Sequence, residues 1–307
     1  MVKIDQIIVK RACKESLKNT TNPNKKPNLM RKLIPLIVIL FSISLTAQSP
    51  WTQKKGRFYT QFSYTTISGY NELFGDPDYS TEREMTDQTF QLFAEYGISD
   101  ATTLIVNLPI KSIKTENLTA IGNIIPVTMS GNETALGNLQ VGIKHNFSNR
   151  DWILSGQLTV EVNTGSFDQT TGIRTGYDAW SFTPLLLAGK GYGRSYLQGF
   201  IGADIRTNGY SSNFKVGGEY GRKIGKSIWL IGFLDISKSF KNGDVVLEPQ
   251  NLVTGLYVND QEFGAFGIKA IGEITNSFGV NAGFGGAFFG NNVAKQAALT
   301  FGVYQKL

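Results

Sequence analysis

The chain of 307 residues holds one cysteine, Cys13, and one histidine, His145. Without a thiol past Cys13, disulfides, thiol nucleophiles and cysteine-ligated metals are excluded from everything that follows, and an oxidising compartment poses no difficulty. A lone histidine cannot assemble a zinc set. His145 falls on the apolar side of an alternating run with no evident triad partner, so catalysis has little to stand on and we expect a non-enzyme that carries no cofactor. Long apolar runs are missing too. The run Leu33–Leu45 spans 13 residues, short of the roughly 20 a membrane helix needs. Phosphate-loop chemistry is absent despite two lookalikes. Gly221–Ser227 has one residue too few between its glycines, and Gly283–Gly286 sits inside an alternating strand and opens no helix.

An excess of one charge is lacking as well, once position is considered. The formal charge is +6, but residues 1–32 hold nine of the 30 Lys/Arg and two of the 24 Asp/Glu. That leaves 21 bases against 22 acids downstream, which removes the electrostatic footprint of a nucleic-acid partner. The basic segment leads into Met30-Arg31-Lys32, the apolar run, and Thr46-Ala47-Gln48, the order of a secretory signal. Cleavage between Ala47 and Gln48 is expected, with 1–47 as leader (core 30–47), 48–56 as a periplasmic lead-in and 57–307 as the folded body.

What is present is strict alternation. Phe90, Leu92, Ala94, Tyr96 and Ile98 alternate with Thr89, Gln91 and Glu95, and after the turn at Ser99-Asp100 the pattern resumes with Leu104, Val106, Leu108 and Ile110. Similar runs of about 11 residues recur at 58–66, 136–147, 152–163, 180–190, 195–206, 213–223, 228–239, 261–273, 278–289 and 295–305, making twelve strands. Connections alternate between tight polar turns and mostly long loops, among them Asn71–Met85, Ser112–Ala135, Thr164–Ala179 and Phe240–Asp260. Short on one side and long on the other, with runs near the 9–11 residues a tilted strand needs, is the pattern of an outer-membrane up-and-down β-barrel. A soluble sandwich or lipocalin-like barrel would also alternate, with its apolar face toward a core. Aromatics cluster near the run ends: Phe147, Trp152, Tyr196, Trp229, Phe278 and Tyr304 toward the short turns, Tyr70, Trp180, Phe214 and Phe288 toward the loops.

If the apolar faces meet lipid, the polar faces line a lumen. They carry Arg57, Lys111, Lys144, Arg206, Lys215 and Lys269 against Glu95, Glu161, Asp204, Glu219, Asp235 and Glu273. Such a balance selects poorly between ion signs. Either these side chains pair across the barrel and fill it, or Glu95, Lys144, Glu161 and Lys269 form a constriction on a permeation path. Pro109 either ends its strand at the outer rim or marks a kink where the wall opens sideways. The segment Pro50–Lys55 is either a mobile lead-in or a plug in the periplasmic mouth. Asp76, Asp78, Glu82 and Glu84 form a loop cluster able to bind a divalent cation or to remain a solvated charge run.

The stretches Tyr96-Gly97-Ile98-Ser99-Asp100 through Asn107-Leu108-Pro109, Leu136-Gly137-Asn138-Leu139 and Val162-Asn163-Thr164-Gly165-Ser166 resemble the outer-membrane family labelled "MetA-pathway of phenol degradation". Ser99, Asn138 and Asn163 depart from that family's Thr, Asp and Pro. The resemblance implies a barrel related to outer-membrane transporters of fatty acids and hydrophobic compounds. It implies passage of small apolar or aromatic solutes and a lateral opening near Pro109. An outer-membrane barrel has outer-membrane lipids as its surroundings and should need the barrel-assembly machinery to fold; the last strand Leu299–Tyr304 is similar to that machinery's recognition signal but is followed by Gln305-Lys306-Leu307 instead of a terminal aromatic. The second functional reading is a plugged structural barrel that meets partners through its outer loops. Loops folded inward would favour a gate, and loops projecting with Val245, Val246 and Leu247 exposed would favour docking.

Overall fold

The computed structural model describes residues 48–117 and 128–307; Ala47 and the leader lie outside them. Unbroken alternation becomes strand throughout. In chain order these are β1 (Phe58–Phe74), β2 (Tyr79–Ser99), β3 (Thr102–Thr115), β4 (Gly131–Leu136), β5 (Leu139–Asn149), β6 (Ile153–Val162), β7 (Ser181–Tyr192) and β8 (Ser195–Arg206). They continue with β9 (Asn213–Ile224), β10 (Ile228–Ser239), a single helical turn α1 (Pro249–Leu252), β11 (Glu262–Glu273), β12 (Phe278–Asn291), β13 (Val293–Ala294) and β14 (Ala298–Lys306). β1 pairs antiparallel with β2 on one edge and β14 on the other, so the sheet closes. β4 and β5 are two halves of one stave, since both pair with β3. β13 only extends the last stave along the end of β1. The result is a closed antiparallel barrel of twelve strands.

The side chains are distributed inside out relative to a water-soluble protein. Leu186, Ile268 and Phe301 on the outer face are 64%, 63% and 54% exposed, whereas Lys144 and Thr103 on the inner face are fully buried. An apolar belt of this extent around a polar interior suits hydrocarbon surroundings and excludes the soluble sandwich or lipocalin-like alternative, whose apolar face would be the buried one. Closure answers the same demand, because it leaves no open backbone edge in the belt. No helix among the described residues is long and apolar enough to cross a membrane.

Several sequence expectations change. The expected loop Asn71–Met85 is largely strand: β1 and β2 run on as a protruding hairpin, with register shifts near Ile67 and Tyr70. Thr81, Arg83, Met85 and Asp87 keep the inward parity of Gln91, Phe93 and Glu95, which their charge had obscured. At the hairpin tip, Asp78 accepts a bond from Lys295 Nζ at 2.7 Å and another from the Gly75 amide. Among the described residues no cluster of three or more acids, histidines or cysteines is placed to hold a metal. The Lys295 hydrogen bond, followed by the Gly75 amide, holds the Asp78 carboxyl below its ordinary value of 3.8. Lowering the folded value favours the charged form, so the tip contact is complete above pH 3.8 and is lost as pH falls through the depressed value. Accordingly, the Gly75 amide chemical shift, read by NMR as pH is lowered, should titrate with a midpoint below 3.8.

Candidate functional site

The lumen is built by parity. Every second residue of each strand points inward, so charges four apart along one strand share a wall. Glu95 on β2 accepts from Lys144 Nζ on β5 at 2.9 Å and from Gln53 Nε2 at 2.7 Å. On the opposite part of the sheet, Glu219 accepts from Lys269 Nζ at 2.5 Å, Tyr196 Oη at 2.7 Å and Gln198 Nε2 at 2.8 Å. Lys111 donates to Asp87 at 2.7 Å, Arg206 to Asp204 at 2.6 Å, and Glu161 takes the amides of Asn138 and Gln140. Glu273 pairs with Lys223 at the short-turn end. These bonds link residues within a strand, on adjacent strands, or on next-neighbour strands along the wall; they do not cross the barrel to fill it. Asp235 differs: its Oδ1 is buried with no hydrogen-bond partner. Lys215 lines the outer cavity beside it, and Arg57 lies exposed just before β1.

Two cavities follow from this wall. The one toward the short turns, about 580 Å³, is bordered by Trp51, Tyr59, Phe93, Tyr196, Trp229 and Phe233 together with Glu95, Glu219 and Lys269. The one toward the loops, about 370 Å³, is bordered by Lys111, Glu161, Asp204, Arg206 and Lys215 with Tyr177 and Tyr257. Gln48, Thr65, Gln91, Phe93 and Asp235 border both. The four residues expected as one constriction are therefore divided: Glu95 and Lys269 border the inner cavity, Lys144 is tied to Glu95, and Glu161 borders the outer cavity.

The lead-in is fixed inside the short-turn end. Lys144 Nζ donates to the Ser49 carbonyl at 3.0 Å, Ser155 Oγ to the Pro50 carbonyl at 2.6 Å, and the Gln53 amide to Thr103 Oγ1 at 2.8 Å. Trp51 meets Tyr196 edge to face at 5.7 Å. Gly97 makes the approach possible, since a β-carbon there would stand 2.0 Å from the Lys54 carbonyl oxygen. Of the two readings of Pro50–Lys55, this is the plug.

The loop end is capped from within. Connections 163–180 and 240–261 turn inward, and Ile173 and Leu256 join Tyr70, Leu73, Met85 and Ile113 in an apolar cluster. Asn251, fully buried at the end of α1, accepts from Arg174 Nε at 3.1 Å and donates to the Leu256 carbonyl at 2.9 Å. Tyr177 Oη donates to Gln261 Oε1 at 2.5 Å, its ring lies 4.1 Å from the Arg206 guanidinium, and it meets Tyr257 edge to face at 5.2 Å. Burial raises both phenols above the ordinary tyrosine value, so they stay protonated. In connection 240–261 the tip projects, with Val246 94% exposed. Ile173→Ala should cost the cap about 2–4 kcal/mol, read as faster proteolysis within 163–180 while the barrel itself stays folded.

Pro109 does not end its strand. β3 continues to Thr115, and Pro109 faces the outer cavity. Opposite it the stave breaks between β4 and β5 at Gly137-Asn138, where Gly137 donates to the Pro109 carbonyl at 2.9 Å. Thr164 Oγ1 closes the break by donating to the Gly137 carbonyl at 2.6 Å and accepting from the Leu139 amide at 2.9 Å.

Sequence reasoning placed Tyr196, Trp229, Tyr304 and Tyr70 in outer aromatic belts, and the structure corrects this. Tyr196 and Trp229 border the inner cavity, Tyr304 is buried and stacks on Tyr59 at 5.8 Å, and Tyr70 belongs to the cap cluster. The signal was present for three of them, because Tyr196 shares parity with Gln198 and Asp204, Trp229 with Asp235, and Tyr304 with Thr300. Phe147, Trp152, Trp180, Phe278 and Phe288 do face outward. His145 faces outward too, with Nδ1 2.9 Å from Thr102 Oγ1.

No family model and no curated protein matches the chain. Among solved structures it is similar to the outer membrane channel from Pseudomonas putida F1, with TM-score 0.63, 12% identity, and coverage of 87% of this chain and 100% of that one. The likeness is one of fold. Similarity is lower to the KdgM porin (TM-score 0.48, 8% identity, 80% and 98% covered) and to the translocator domain of autotransporter NalP from Neisseria meningitidis (TM-score 0.49, 11% identity, 82% and 89% covered).

Proposed function

We propose that the chain is an outer-membrane channel for small, largely apolar or aromatic molecules, exported through its leader and inserted by the barrel-assembly machinery. The observation that carries this reading is a pair of cavities meeting at Gln91, Phe93 and Asp235 inside a closed barrel sheathed in apolar side chains. Aromatic rings dominate one end of the path, and most of its charges are tied to one another, which suits uncharged cargo better than ions. The inward loops favour a gated path over an outward docking surface. The stave break opposite Pro109 supplies a sideways exit toward lipid, held shut by Thr164. Glu95, Lys144, Glu161, Asp204, Arg206, Lys215, Glu219, Asp235 and Lys269 are the candidates for shaping the path.

In nanodiscs, a naphthalene-type fluorophore should accept energy from Trp51 and Trp229 saturably, and unlabelled toluene should compete where glucose does not. Gly283→Phe, which adds a ring to an inner-cavity wall with no neighbour closer than 3.5 Å to its β-carbon, should abolish the saturable signal. Equal competition by glucose, or no saturable signal in the folded protein, contradicts the reading.

A further inference from the structure

The charges outside the lumen are segregated along the barrel axis. At the short-turn end stand Lys54, Lys55, Arg57, Arg150, Lys190, Arg194, Arg222 and Lys226, most of them exposed, against the side-chain acids Asp100 and Asp151. Parity sends two of the cations to the lipid-facing side, where ordinary barrel residues are apolar. Lys190 and Arg222 both alternate with inward residues, Gly189 and Gly221. Strand register then sets them among aromatics in two adjacent outward rows. Lys190 pairs with Leu197 and Leu197 with Tyr220, while Tyr192 pairs with Ser195 and Ser195 with Arg222. Trp152 flanks the first row, its ring centroid 6.0 Å from Lys190 Nζ, and the Tyr192 ring is 5.7 Å away. Tyr220 Oη bonds Ser195 Oγ at 3.0 Å, tying the rows together. Neither Lys190 nor Arg222 has a carboxylate partner among the ion pairs of the described residues.

A cation aimed at lipid from the last few residues of a strand reaches the headgroup layer, and aromatic rings beside it fix its depth. We propose that Trp152, Lys190, Tyr192, Tyr220 and Arg222, with Arg194 in the adjoining turn, form a binding site for the phosphodiester headgroup of an anionic phospholipid in the leaflet at the short-turn end. The guanidinium and ammonium take the phosphate oxygens, and the tyrosine hydroxyls hydrogen-bond the glycerol. The site rests on the bilayer placement proposed above and extends it to a lipid preference at one rim.

The test reads the lipid-quenchable part of the tryptophan emission in the folded Trp180→Phe protein, where Trp51 and Trp229 border the inner cavity and Trp152 is left facing lipid. The protein is reconstituted in vesicles of brominated phosphatidylcholine or of equal parts phosphatidylcholine and brominated phosphatidylglycerol. Per brominated lipid, phosphatidylglycerol should quench at least about twofold more strongly. Lys190→Gln with Arg222→Gln should bring the ratio to one, while Lys114→Gln with Lys241→Gln at the opposite end should leave it raised. Equal quenching by both lipids in a barrel that still migrates as folded on an unheated gel overturns the site alone. Quenching by neither overturns the bilayer placement together with the site.

Discussion

Lys144→Met will lower the stability of the barrel by about 3–5 kcal/mol, the range for breaking a buried ion pair from one side. Lys144 is wholly buried and Glu95 nearly so, at 0% and 7% side-chain exposure, and among the described residues their 2.9 Å contact is the only ion pair either makes. Removing the ammonium leaves the Glu95 carboxylate in the wall with Gln53 as its remaining donor. It also frees the Ser49 carbonyl, so the lead-in loosens as the wall weakens. Adding Glu95→Gln to the same chain should recover most of the loss, because a neutral amide needs no counter-charge. Urea unfolding in vesicles, followed by the gel shift between folded and unfolded barrel, separates these variants. A loss below about 1 kcal/mol for Lys144→Met would place the pair among solvated ones.

Gly97→Ala acts on the lead-in without touching the charges. The added methyl would stand 2.0 Å from the Lys54 carbonyl oxygen and 2.5 Å from its carbon, both backbone atoms that cannot rotate away. The lead-in must leave its track, which breaks the bonds from the Gly56 amide to the Gly97 carbonyl and from the Gly97 amide to the Arg57 carbonyl. The strand itself should persist, since alanine tolerates an extended backbone and Gly97 has no positive φ. The short-turn mouth then widens by the volume of the displaced segment. Protease cleavage after Lys54 and Lys55, slow in the parent, should become at least about tenfold faster, as local opening no longer has to precede it.

The barrel was legible because its physics is periodic. Two-residue alternation fixes which side chain faces lipid, and alternate long and short connections fix which ends lie together, so twelve staves and the inward set from Glu95 to Lys269 follow from spacing alone. The cap was illegible for the opposite reason. Tyr177 and Tyr257 lie in connections without a period; Arg206 and Gln261 hold Tyr177 inward, and Tyr257 sits against the Tyr177 ring and Lys111, each ring distant in sequence from the residues it meets. Asp87, the partner of Lys111, went unseen because an acid-rich stretch resembles a loop until its parity with Gln91 is followed. Tyr196 and Trp229 were misplaced by proximity to strand ends, where parity and the aromatic-belt rule disagree and parity prevails. Pro109 shows the limit of a local rule: proline forfeits one ladder bond, and here the loss falls where the neighbouring stave is already broken at Gly137-Asn138.

On the proposed function the lumen is continuous and held nearly closed by its own lead-in and inward loops. Single-channel recording in a planar bilayer, on the parent and on Gly97→Ala, decides this. The parent should be silent or show brief, small steps, and Gly97→Ala should show lasting openings several-fold larger. Lasting openings of the same size in both proteins would contradict a lead-in plug, and silence in both would contradict a continuous lumen.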